Sequence, residues 1–168
     1  MPARRQVVVF RIGVEEFAVD ILLTKEVVGM REITPVPETE SYVEGVMNLR
    51  GKLVPVVDLR KRMRARIRPG QEDKRIIIAN YEERLTGLIV DGASEVVRVS
   101  DEMIEPPPDL IAEIGADYVE GVINLGTRFI TLVDLTRILT DEVNCELDDV
   151  LAVLARSGEQ DSAPAQAM

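Results

Sequence analysis

Short apolar runs separated by turn signals set the rhythm of this chain. The opening QVVVFRIGVEEFAVDI predicts two strands around a turn. Val7, Val8, Val9, Phe10 and Ile12 are β-branched or aromatic, GVEE supplies the turn, and Phe17, Val19 and Ile21 alternate after it. LLTKEVVGMREITPVP is extended, because Pro35 and Pro37 forbid a helix there. After Tyr42, KLVPVVDL reads as another strand, with Pro55 pointing to an edge position or a bulge. The tail DEVNCELDDVLAVLARS carries Leu147, Val150, Leu151 and Leu154 at helical spacing. It predicts an amphipathic helix over 146–156, followed by a disordered tail over 157–168.

The pattern occurs twice. KRIIIANYEERLTGLIVDG repeats the opening as strand, glutamate-bearing turn and strand. EVV at Glu26 recurs at Glu95, PVPE at Pro35 is answered by PPPD at Pro106, and YVEGVMNLRGKLVPVVDL is echoed by YVEGVINLGTRFITLVDL. Tyr42 to Met63 against Tyr118 to Leu139 gives ten identities in 22 positions. The offset grows from 69 residues at EVV to 76 at YVEGV, so the second copy holds an insert. That insert, DLIAEIGAD, predicts a short helix begun by Pro108 and Asp109 and stopped by Gly115. Each copy, about 6–68 and about 74–142, has the size and strand content of a small five-stranded barrel. Helices of crossover length are absent, which disfavours a parallel α/β sheet. The expectation is an all-β domain over 1–145 in which the two copies build two sub-barrels, with strand exchange between them left open by the local pattern.

Composition narrows the chemistry. Hydrophobic residues make up 46% of the 168, enough for a core, and no apolar run approaches a membrane span. The start has no long apolar stretch with a cleavage site, and Cys145 is the single cysteine, so the chain reads as cytoplasmic. The net charge of −10 argues against nucleic-acid binding. One basic run, RKRMRARIRPG from Arg60 to Arg68, is an anion-patch candidate, although it reads more simply as a solvated loop. There is no histidine, which removes histidine-based catalysis and metal ligation, and one cysteine makes no thiolate zinc site. No phosphate-binding glycine motif is present. Neither an enzyme nor a cofactor or metal site is expected.

The two copies serve as controls for each other. Positions shared by both answer to the common fold. Gly45 with Gly121, and Asn48 with Asn124, read as turn residues. Asp58 and Asp134 read as caps of the next turn. Positions that differ are free for a task belonging to one copy. NLRG becomes NLGT, so Arg50 has no counterpart, and Thr24 and Lys25 give way to Ala93 and Ser94. An arginine that the turn itself does not need suits a fixed contact with a carboxylate at an interface.

At DILLTKEVVG, PVPETESYVEGVMNLRGKLVPVVDL and GLIVDGASEVV the chain resembles the CheW family of bacterial chemotaxis coupling proteins, over about Gln6 to Asp141. The resemblance implies two intertwined five-stranded SH3-like β-barrels with a short C-terminal helix. It implies a non-enzymatic adaptor that joins the cytoplasmic tips of chemoreceptors to the histidine kinase CheA and reaches the membrane only through those receptors. By alignment with the family, receptor contact falls on Thr24, Glu26, Arg50, Ile76, Gly87 and Val96, with Ile76 and Val96 lining a groove and Arg50 on its rim. Kinase contact falls on Ile21, Gly45, Val46 and Leu49, and Gly45→Lys is expected to weaken kinase binding more than stability. Two other readings stand beside it: a small-molecule or anion-binding module using the groove between the barrels, and a carboxylate-dependent enzyme.

Overall fold

The computed structural model describes residues 4–63, 74–81, 83–107 and 118–166. The first copy contributes β1 (Arg4–Ile12), β2 (Glu15–Asp20), β3 (Thr24–Gly29), β4 (Val43–Leu49), β5 (Lys52–Asp58) and the short helix α1 (Leu59–Arg62). The second contributes β6 (Arg75–Tyr81), β7 (Arg84–Val90), β8 (Gly92–Ser100), β9 (Ile104–Glu105), β10 (Val119–Asn124), β11 (Phe129–Val133) and α2 (Leu135–Ile138). A long helix, α3 (Asp141–Gln166), ends the chain.

The strands form two sheets, ordered β8-β1-β2-β11-β10-β9 and β3-β6-β7-β5-β4. Each sheet therefore takes its first hairpin from one copy and its remaining strands from the other. β1–β2 of the first copy sits between β8 and β11 of the second, and β6–β7 of the second sits between β3 and β5 of the first. Two SH3-like barrels result, but neither copy alone is a barrel. This exchange is the intertwining that the resemblance implied, it answers which strands belong to which barrel, and the chain cannot be cut near residue 70 into two folding units.

The exchange explains why Val7 to Phe10 and Ile76 to Ala79 are apolar without interruption. In a strand, alternate side chains face opposite sides, and here both sides are buried. Val7 and Val9 enter the core of the first sheet, while Val8, Phe10 and Ile12 enter a core shared by both barrels. Ile76 and Ile78 enter the core of the second sheet, while Ile77 and Ala79 face the shared one.

Pro55 lies inside a sheet, since β5 is flanked by β4 and β7. Its partner Val46 exchanges both backbone hydrogen bonds with Thr34, so Val46 turns its polar groups away from β5. The missing N–H of Pro55 therefore faces the β7 side, where pairing starts one residue later at Val56 and Gly87. The proline is tolerated by local geometry and not by an edge.

α3 begins earlier than the apolar spacing from Leu147 suggests. Val143 extends the stripe back by one turn, and Val143, Leu147 and Val150 are all buried in the shared core. The Glu146 carboxylate accepts from the Glu40 N–H at 2.7 Å and the Tyr42 hydroxyl at 3.2 Å, which ties the helix to the first copy. The helix also continues to Gln166, so 157–166 is helical and not a loose end; nothing in the apolar pattern beyond Leu154 accounts for this. The expected DLIAEIG helix lies outside the described residues.

Candidate functional site

A groove of about 480 Å3 runs between β3 of one barrel and β8 of the other. Ile21, Val27, Ala93 and Val96 give it an apolar floor. Val27 and Val96 are 40% and 52% exposed, unusually open for valines in strands. Both walls are bulged at the same point of the repeat: the β3–β6 register shifts across Lys25, and the β1–β8 register shifts across Ser94. A bulge re-aims the side chains beside it. In this case it places Glu26 and Glu95, which match each other in the repeat, on the two rims.

Each of these carboxylates is held by an arginine from a hairpin turn. Arg50, between β4 and β5, grips Glu26 with both terminal nitrogens, one of them at 3.1 Å. Arg128, beside the β10–β11 turn, pairs with Glu95 and lies 3.7 Å from Glu16. The arginines are not repeat equivalents, since Arg128 matches Lys52 and Gly126 matches Arg50. The same clamp has been built from two different positions.

The change from NLRG to NLGT is a change of turn. Arg50 and Gly51 have φ of 50° and 87°, the signs of a type I′ hairpin turn. Gly126 has φ of 85° and Thr127 is not left-handed, the signs of type II′, which wants glycine first. Asn48 and Asn124 each accept a 2.8 Å bond from a turn N–H, Gly51 and Gly126 respectively, as turn residues should. Arg50 thus sits in a left-handed conformation costing about 1–2 kcal/mol for a side-chain-bearing residue. Its side chain is 63% exposed, so packing does not hold it there.

Hydrogen bonding to Arg50 comes first among the causes that lower the Glu26 pKa, with the charges of Lys25 and Arg31 adding to it. A depressed carboxylate pKa means the clamp is present above the ordinary glutamate range and is lost as pH falls through the lowered value. Arg50→Ala is expected to raise the Glu26 pKa back toward that of an ordinary glutamate. A carboxyl-carbon NMR titration reads this directly; an unmoved midpoint would show that Arg50 is not the cause.

Of the six expected receptor contacts, the groove collects Thr24, Glu26 and Val96, with Arg50 on its rim through Glu26. Ile76 and Gly87 are not on the surface. Ile76 is fully buried and pairs with Val28, and a Cβ at Gly87 would stand 3.0 Å from the Ile76 side chain. They support β3 from behind, so the groove wall attributed to Ile76 is formed by Val27 and Ile21 instead. Of the kinase residues, Ile21 lines the groove end, while Gly45, Val46 and Leu49 are buried. Gly45 and Gly121 are also not turn residues. Each follows a bulge in its strand and lets another segment approach, Thr34 in one copy and β9 in the other. The exposed apolar residue of that hairpin is Leu53, matched by Phe129 in the other barrel. Sequence spacing missed it because strand alternation alone does not say which face is covered.

The basic run is likewise not a free patch where it is described. Arg60 is buried between Asp58 and Asp91, Lys61 pairs with Glu44 at 2.6 Å, and Arg62 donates to the Ile138 carbonyl and lies over the Tyr42 ring. Arg64, Arg66 and Arg68 lie outside the described residues. Asp58 and Asp134 do cap α1 and α2, accepting from the Arg60 and Thr136 N–H groups. Among the described residues no cluster of histidine, cysteine or carboxylate side chains could hold a metal ion.

The family model for the CheW-like domain matches residues 6–143. The chain belongs to this family. It is 36% identical over 138 residues to the chemotaxis protein CheW of Rhizobium meliloti, covering 82% of this chain and 89% of the relative. It is 33% identical over 146 residues to that of Klebsiella aerogenes, covering 87% and 88%. The crystal structure of the scaffolding protein TtCheW from Thermoanaerobacter tengcongensis superposes with a TM-score of 0.74 at 37% identity, over 85% of this chain and 96% of that one. The CheW-like chain is accordingly a chemotaxis coupling adaptor, of a family that works through binding surfaces. No helix among its described residues is long and apolar enough to cross a membrane.

Proposed function

We propose that this adaptor, acting in the cytoplasm and without chemistry of its own, joins chemoreceptor cytoplasmic tips to the regulatory part of a CheA-type histidine kinase. The observation that carries the receptor half is the apolar β3–β8 groove with the Arg50–Glu26 clamp on its rim. A helix laid in an apolar groove is a common recognition mode, and a receptor tip is a helical hairpin. Val27 and Val96 would meet its apolar face, Thr24 and Glu26 would fix its register, and Ile76 and Gly87 would keep β3 in place. Rim carboxylates on both sides make the groove a poor anion site. The kinase half falls on the β4–β5 hairpin, with Gly45, Val46 and Leu49 shaping it, Leu53 exposed on it and Ile21 near the groove end.

The turn strain supports a binding task for Arg50. Type I′ turns favour glycine at both central positions, so Arg50→Gly is expected to stabilise the fold, by up to about 1 kcal/mol. Arg50→Ala is expected to change stability by no more than about 0.5 kcal/mol, since an exposed ion pair contributes little. Both should lower receptor affinity about tenfold, roughly 1.4 kcal/mol, and leave kinase affinity nearly unchanged. Titrating each variant separately against receptor and kinase fragments checks this. Intact receptor binding with failed kinase binding would show that the turn serves the other partner.

A further inference from the structure

We propose that Arg60 is a positioning residue for the partner groove: its buried contacts to Asp58 and Asp91 hold the β8 wall at a fixed place against the sheet that carries β3. The functional part of this inference rests on the reading of the groove as receptor-facing.

The contacts are specific and buried. Arg60 Nε donates to Asp58 Oδ1 at 2.9 Å, one terminal nitrogen donates to Asp58 Oδ2 at 2.8 Å, and the other donates to Asp91 Oδ1 at 3.0 Å. The second oxygen of Asp91 accepts the Gly13 N–H at 2.6 Å, and the Asp91 N–H donates to the Arg11 carbonyl at 2.9 Å. Asp58 ends β5, in the second sheet. Asp91 lies where the chain leaves β7 of that sheet and enters β8 of the other. Gly13 is in the β1–β2 turn of the first sheet. One guanidinium therefore ties the end of one barrel to the crossover and hairpin turn of the other. From Asp91 the chain runs directly into Ala93, Glu95 and Val96, which form the groove wall.

The second copy shows that the repeated fold does not need this arrangement. At the matching place the residue in line with Arg60 is Thr136: Asp134 caps its helix by accepting from the Thr136 N–H and hydroxyl, and its arginine neighbour is Arg137 of the same turn, 3.4 Å away and 53% exposed. The first-copy residue matching Asp91 is Leu22, which is exposed. Asp58 makes the same backbone cap, accepting the Arg60 N–H at 3.0 Å on the oxygen that also takes the Arg60 Nε. The guanidinium is thus an addition to the shared plan. Buried ion pairs add little net stability over apolar residues of similar size, but a planar fork fixes direction and distance. What Arg60 supplies is orientation between the barrels.

The test separates orientation from stability. In the full chain carrying Cys145→Ser, spin labels on Lys25→Cys and Arg98→Cys report the distance between exposed points of β3 and β8. The variant Asp58→Asn/Arg60→Met/Asp91→Asn removes the charges while keeping bulk and the cap. We expect it to melt within a few degrees of the parent, to show a distance distribution at least twice as wide, and to bind a receptor fragment about tenfold more weakly. Kinase-fragment affinity should stay within about twofold. An unchanged distribution overturns the proposal. If the triple variant does not fold, Arg60→Lys, which keeps the charge but loses the fork, is read the same way. A wider distribution with intact receptor binding overturns the link to the groove when Arg50→Ala still weakens binding. If Arg50→Ala is also silent, the receptor reading of the groove fails and the orienting role of Arg60 stands.

Discussion

Replacing Arg60 alone with methionine is expected to cost about 3–5 kcal/mol of folding stability, the range seen when one partner of a buried ion pair is removed. Asp58 and Asp91 are each at least 92% buried, and without the guanidinium they would stand as uncompensated carboxylates. Gly13 and the Arg60 backbone still donate to them, so part of their solvation is retained. For a domain of 168 residues each kilocalorie shifts the melting temperature by about 2–4 °C, so the loss should be about 6–20 °C. Removing the two carboxylates as well, with Asp58→Asn and Asp91→Asn, should recover most of it, because no buried charge then remains. Thermal melts of the single and triple variants check both statements. A single variant within about 1 kcal/mol of the parent would mean that water reaches the pair.

How much of this was legible beforehand can be followed residue by residue. The repeat, the strands, the two aspartate caps and the terminal helix follow from local patterns, because caps and periodicity are local properties. The exchange of hairpins is not local. β1 pairs with β8 through partners such as Val7 and Val97, and nothing in either strand names the other. Ile76 was misplaced for a related reason. Ile76, Ile77 and Ile78 are apolar in succession, so alternation does not assign a face, and both faces are buried. Arg60 was hidden by its company: in a run of arginines the one that finds two buried carboxylates looks like the solvated ones. Arg50 stands out because the two copies differ there in a way the shared fold does not demand, whereas Glu26 and Val96 match Glu95 and Val27 and are pointed to only by the resemblance to the family. The Arg128–Glu95 clamp escaped that comparison, since Arg128 replaces a lysine and the substitution looks conservative.

Gly45→Ala is expected to be strongly damaging, and to cost more than Gly121→Ala although the two glycines match in the repeat. Gly45 has φ of 142°, where L-residues are strained, and an added Cβ would stand 2.0 Å from the Thr34 carbonyl oxygen and 2.9 Å from the Pro35 Cα. All the opposing atoms are backbone, and Thr34 is held in place by two hydrogen bonds to Val46, at 2.8 and 2.9 Å. Backbone strain of about 1–3 kcal/mol adds to an overpacking cost of similar size, so a loss of about 2–6 kcal/mol is expected. At Gly121 φ is not left-handed, and the Cβ would meet the Glu105 carbonyl at 2.7 Å and an Ile104 methyl at 2.9 Å. Those atoms belong to β9, a two-residue strand at the sheet edge paired with β10 through two residues. Overpacking alone applies there, at about 1–3 kcal/mol. Gly45→Lys inherits the whole of the Gly45 penalty, so any loss of kinase binding in that variant would follow from damage to the β4–β5 hairpin, and it cannot serve as a clean interface probe. Urea melts of the two alanine variants rank them. Equal losses would mean that Thr34 yields as easily as β9, and a Gly45→Ala protein within about 1 kcal/mol of the parent would remove the close approach as the reason for this glycine.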